Sequence, residues 1–77
     1  MIVRARLLGE FRKHLGGRAE PLIFELADAA RVSDLFAALG IDRQSDAIVG
    51  VNGQLSSPDS QLADGDEVTL VSPMSGG

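Results

Sequence analysis

The residues whose type and position suggest chemistry stand at the C-terminal end: Pro73, Met74, Ser75, Gly76 and Gly77. Pro73 has no backbone N–H, so a strand running into it loses its ladder there. The five residues from Pro73 onward can then reach on the order of 17 Å from the sheet. Glycine carries no Cβ, so a Gly76-Gly77 end fits a narrow channel and adopts conformations closed to other residues. A carboxylate is a poor electrophile until it gains a leaving group. A slender tail lets another protein's active site reach the Gly77 carboxylate and supply one. Two terminal glycines alone also describe a frayed chain end, so the domain ahead of them decides between the readings.

No other residue set competes. Cysteine is absent, so any sulfur the chain handles is attached to something else, and a reducing compartment suits it. His14, the only histidine, stands beside Lys13 in a polar turn with no nucleophile in a known motif, which describes a solvated surface residue. Asp64, Asp66 and Glu67 match no metal-ligand spacing and read as a turn with solvated charges. Gly50-Val51-Asn52-Gly53 lacks the Lys-Ser/Thr element of a phosphate loop. A net charge of -4 argues against nucleic acid, and three aromatic residues, all Phe, offer no stacking platform. The acidic balance suits a partner with a basic docking surface. No apolar run approaches the ~20 residues of a membrane span, and the N-terminus alternates at once instead of opening an apolar signal stretch. Cytoplasmic location is the expectation.

The elements that must position the tail follow from periodicity. Ile2 to Leu8 alternates, with Val3, Ala5 and Leu7 on one face, Arg4 and Arg6 on the other. Leu8 falls on the arginine face. Phe11 and Leu15, four apart, suit a short helical turn between Gly9 and Gly16-Gly17. Leu22 to Leu26 reads as a second strand, with Leu22, Phe24 and Leu26 on one face. Val32, Leu35, Phe36 and Leu39 form the stripe of an amphipathic helix, closed by Gly40 and opened by Asp28 or Ser33. Ile48 to Val51 is a strand, Asn52-Gly53 a hairpin turn, Gln54-Leu55 a short return strand, and Ser56 to Leu62 a polar loop. Asp64-Gly65-Asp66 turns into the last strand, Glu67 to Val71, with Val68 and Leu70 facing inward. Val3, Leu7, Leu26, Leu35, Leu39, Val68 and Leu70 are the predicted core.

This order predicts an α+β fold of the β-grasp type: a mixed sheet, first and last strands central and parallel, one main helix on one face. Residues 1–72 form the domain and 73–77 the activation tail. Parity places Leu8 and Val71 at the sheet end where the tail departs, on the face away from the helix. Met74 would extend that apolar patch into the tail as a docking surface. A domain of this size buries only roughly 60% of its unfolded surface, so it binds or carries more readily than it encloses an active site.

Val51-Asn-Gly-Gln-Leu, Leu62-Ala-Asp-Gly-Asp-Glu-Val and Ser72-Pro-Met-Ser-Gly-Gly resemble the ubiquitin-like sulfur carriers: molybdopterin synthase small subunits and thiamine-biosynthesis carriers. Val3-Arg-Ala-Arg-Leu-Leu-Gly-Glu-Phe-Arg and Val32-Ser-Asp-Leu-Phe-Ala-Ala-Leu-Gly are similar to the same family, so the resemblance spans essentially the whole chain. The tail is closest to the molybdopterin synthase branch, although Ser72 stands where that branch often has proline. The resemblance implies a mechanism. A ubiquitin-activating-type enzyme adenylates the Gly77 carboxylate with ATP. A sulfur donor protein then displaces AMP to leave a thiocarboxylate. Its sulfur passes to the pyranopterin precursor of molybdenum cofactor in the large catalytic subunit. Pro73, Met74, Ser75, Gly76, Val71 and Leu8 would meet the partners. On this reading the chain is not catalytic alone and binds no cofactor or metal; nucleotide and catalytic groups belong to the partners. The alternatives are a carrier for another pathway, such as thiamine or cysteine synthesis, or a protein modifier conjugated through Gly77.

Overall fold

The computed structural model describes residues 1–41 and 47–72. Strand β1 (Ile2–Leu8) is followed by a 3-10 helix (Gly9–Leu15), β2 (Leu22–Glu25), helix α1 (Val32–Leu39), β3 (Ile48–Val51), β4 (Gln54–Ser56) and β5 (Glu67–Val71). The five strands form one mixed sheet in the order β2-β1-β5-β3-β4. The first and last strands are central and parallel, as the β-grasp reading requires. The other neighbours are antiparallel.

Strand alternation builds the core. Val3, Ala5 and Leu7 of β1 and Val68 and Leu70 of β5 are fully buried on one face. Helix α1 covers that face with Val32, Leu35, Phe36 and Leu39, the stripe spaced i, i+3, i+4, i+7. Phe11 and Leu15 of the 3-10 helix, with Leu22, Ile41, Val49 and Leu62, close the margins. The helix stops at Gly40, whose φ of 79° is left-handed. The Ile41 N–H then returns to the Phe36 carbonyl at 2.9 Å, and the Ile41 side chain is drawn into the core.

Three expectations are corrected. Leu26 is half-buried instead of buried: it pairs with Met1 at the chain's first rung, its N–H on the Met1 carbonyl at 2.8 Å, and packs only at the margin of the core. The helix N-cap is Arg31, neither Asp28 nor Ser33. There Asp34, in the first turn, accepts the Arg31 N–H at 2.8 Å, a carboxylate where the helix dipole favours one. The Ser56–Leu62 loop is more than a polar connection, because Gln61 bridges to Arg31 and Leu62 is buried.

One ladder position is completed by a side chain. β1 outruns β2 toward its C-terminal end, which leaves the Leu7 N–H without a strand partner. Glu20 Oε2 accepts it at 2.7 Å, while Glu20 Oε1 accepts Arg12 Nη1 at 2.8 Å. The Leu7 N–H lowers the Glu20 carboxyl below its usual 4.5; desolvation opposes this, and Arg12 reinforces it.

Two predictions follow from the packing and the ladder. Leu35→Ala removes a fully buried side chain and is expected to cost about 2–5 kcal/mol in chemical denaturation; a loss under about 0.5 kcal/mol, typical of surface sites, would contradict the helix placement. Glu20 has a folded pKa below its unfolded one, so its contribution is present above the unfolded value and is lost as pH falls through the folded one. Glu20→Gln is therefore expected to melt below the wild type at neutral pH, with the gap closing as pH drops well below 4.5. A gap independent of pH would contradict the ionised contact.

Candidate functional site

Where β5 ends, three strands bring one apolar residue each to the face opposite α1. Leu8 of β1 and Ile48 of β3 are both register partners of Val71. The row Leu8–Val71–Ile48 therefore runs across the sheet at its last rung. Parity dictates it: Leu7, Leu70 and Val49 are buried under the helix, so their neighbours face away. Leu8 and Ile48 are 42% and 45% exposed. Val71 was expected to be exposed but is half-buried, because a central strand has a neighbour covering each flank. Ser72 follows it and is buried, so the chain remains held to the sheet up to that residue. Pro73, Met74, Ser75, Gly76 and Gly77 lie outside the described residues.

The next rung on the same face runs Arg6–Thr69–Gly50–Leu55 through the paired strands. Leu55, on edge strand β4, is 83% exposed. Arg6 lies 3.7 Å from Glu67, so the charged part of the face sits toward the start of β5 and the apolar part toward its end. Ile48 and Leu55 were missed as members of this surface in the sequence. Ile48 was legible, since Val49 inward forces Ile48 outward; Leu55 depended on the pairing of β3 with β4.

The opposite end of β5 is tied by polar contacts. Asn52 and Gly53 have φ of 53° and 84°, the left-handed pair of a tight hairpin. Asn52 Nδ2 donates to Asp66 Oδ1 at 2.9 Å, and Asn52 Oδ1 accepts the Glu67 N–H at 3.0 Å. Asp66 Oδ2 accepts the Ala63 N–H at 2.8 Å, and Asp64 Oδ1 accepts the Ile2 N–H at 2.7 Å. Asp64 and Asp66 stand in the expected turn, Asp64 exposed, and they also cap backbone donors, linking the start of β5 to β1 and to the β3–β4 hairpin. His14 is half-buried, its ring 6.4 Å from that of Phe11.

A five-stranded mixed sheet with its first and last strands central and parallel, and one helix across one face, is the β-grasp fold of the ubiquitin-like class of domain. The chain belongs to the ThiS family of ubiquitin-like sulfur carriers, whose model matches residues 5–77. Among solved structures it is similar to a protein described as molybdopterin converting factor subunit 1 from Pyrococcus furiosus (27% identity, 96% of this chain and 99% of that one, TM-score 0.75). It shares its fold with SAMP1 from Haloferax volcanii (23% identity, 100% of both chains, TM-score 0.74). It also shares it with a chain in the complex of subunits 1 and 2 of molybdopterin-converting factor from Helicobacter pylori (22% identity, 100% of both chains, TM-score 0.62). No curated protein sequence matches the chain.

Proposed function

We propose that this chain carries sulfur as the small subunit of a molybdopterin synthase. In this reading the Gly77 carboxylate attacks the α-phosphorus of ATP in a ubiquitin-activating-type enzyme, and pyrophosphate leaves. A sulfur donor then displaces AMP, and the thiocarboxylate enters a large catalytic subunit to deliver its sulfur to a pterin. The observation that carries the reading is the Leu8–Val71–Ile48 row, one residue before Ser72 and six before Gly77. The row can hold the domain while the tail enters an active site. The membership in the ThiS family and the similarity to the Pyrococcus protein support it. A second reading, a modifier joined to lysines of other proteins through Gly77, draws on the likeness to a structure described as H. volcanii small archaeal modifier protein 1.

Gly50 supports the docking role of this face. It sits in the middle of β3 with its outward position open. A Cβ there would meet only Gln54 O at 3.8 Å and Thr69 Cβ at 4.0 Å, ordinary contacts, and its φ is not left-handed. Neither backbone nor internal packing demands glycine, although glycine inside a strand costs roughly 0.5–1 kcal/mol relative to alanine. Such a glycine marks close approach of another backbone or ligand. No side chain stands at this position between its register partners Leu55 and Thr69, so a partner can approach the backbone there.

The function is tested by the intact mass of the protein isolated from its native cell: a fraction with sulfur in place of one Gly77 oxygen is expected, and deletion of Gly77 should abolish it without lowering the melting temperature. A chain found only in isopeptide ladders on other proteins would favour the modifier reading. For docking, Gly50→Val should melt at or above the wild type yet bind the large subunit at least about tenfold more weakly, a change of about 1.4 kcal/mol. Because Val71 is half-buried, a charge is better placed at Leu8 or Ile48. Leu8→Asp and Ile48→Asp should weaken the same complex while the domain stays folded, since burying an unpaired charge is costly. Unchanged affinity in calorimetry would show that partners grip another face.

A further inference from the structure

The cations of this chain are six arginines and one lysine, Lys13. Arginine stays protonated near neutral pH and does not act as an acyl acceptor; a lysine amine does. The Met1 amine donates to the Leu26 carbonyl at 2.7 Å and lies 3.7 Å from Asp28, at the end of the sheet remote from Val71. Lys13 is exposed on the 3-10 helix Gly9–Leu15, which begins one residue after Leu8, the register partner of Val71. Two other cations near it are tied down. Arg12 is bound to Glu20 at 2.8 Å, and Arg18 donates to the Leu15 and His14 carbonyls at 2.8 and 3.1 Å. Among the described residues Lys13 forms no hydrogen bond or ion pair. The 3-10 helix spans only about 14 Å at its usual rise, and the five residues after Ser72 reach on the order of 17 Å. The one untied amine thus lies on the segment that follows Leu8, the register partner of Val71, which stands six residues ahead of Gly77.

We propose that Lys13 is a modification site: the acceptor amine for the activated Gly77 carboxyl of this protein itself. This rests on the reading of Gly77 as the site of adenylation. When ATP and the activating enzyme outpace sulfur supply, the neutral Lys13 Nζ attacks the Gly77 carbonyl carbon of the acyl-adenylate. A C–N bond forms, the C–O bond to phosphate breaks, AMP leaves and the amine proton passes to solvent. The product is an isopeptide either within one chain or between two copies. The arginine-for-lysine bias confines this self-acylation to a single position, so the products have one linkage.

The test is overexpression of wild type, Lys13→Arg and a Gly77 deletion in the native cell, isolation under denaturing conditions, and intact-mass measurement with fragmentation. The wild type is expected to contain a species at one chain mass less one water, or at two chain masses less one water, with Gly77 mapped to Lys13. The first mass reports linkage within a chain and the second linkage between copies. Both should vanish in Lys13→Arg and in the deletion, while Lys13→Arg keeps the sulfur-for-oxygen form of the monomer. Linked species that persist in Lys13→Arg, or map elsewhere, overturn the proposal. A thiocarboxylate without any Lys13 linkage overturns it while leaving the carrier reading intact. Absence of both forms overturns the two together.

Discussion

Strand β5 is paired along both sides, in parallel with β1 and antiparallel with β3. Strand side chains alternate with a period of two, so a slip of one residue would turn Val68 and Leu70 out into water and Val71 in under the helix. The same slip would break the row Leu8–Val71–Ile48. The burial of Val68 and Leu70 beneath Leu35 and Phe36 therefore fixes more than stability. It sets which three apolar side chains meet at the last rung, where β5 ends at Val71.

The two ends of β5 are built from different forces. At its start, Asn52, Asp64 and Asp66 satisfy backbone donors of neighbouring segments, and Arg4 N–H reaches the Asp66 carbonyl at 2.9 Å. Directional hydrogen bonds there specify register. At its finish the outer face offers apolar surface instead, next to the fully buried Leu7, Val49 and Leu70 on the other side. Exposed Leu8, Ile48 and Leu55 cost little in the free domain and contribute on burial at about 25 cal/mol per Å². A small domain can present a surface and a tail, and Gly50 keeps that surface low between β4 and β5.

Much of this was legible in the sequence because burial and periodicity agree. The alternation of Val3, Ala5 and Leu7, the helical stripe from Val32 to Leu39 and the Asn52-Gly53 turn each name their element directly. Side chains acting across long sequence separations were not legible. Glu20 completes the ladder of Leu7 only because β1 outruns β2, and Asp64 caps Ile2 only because β1 and β5 are parallel neighbours. Leu26 read as core because its parity matched Leu22 and Phe24, yet it pairs with Met1 at the end of the sheet, where the core cover runs out. Val71 read as exposed because parity gives the face of a strand but not the cover lent by its flanking strands.

The central claim is that the sheet end is recognised together with the tail. It is tested most directly by comparing the folded chain with a synthetic peptide of residues 72–77 in ATP–pyrophosphate exchange by the ubiquitin-activating-type enzyme proposed as its partner. The account predicts that the peptide, which carries Gly77 but lacks the row Leu8–Val71–Ile48, is activated with kcat/KM at least about a hundredfold below that of the intact domain, a difference of about 2.8 kcal/mol. Equal kcat/KM for peptide and domain would contradict it.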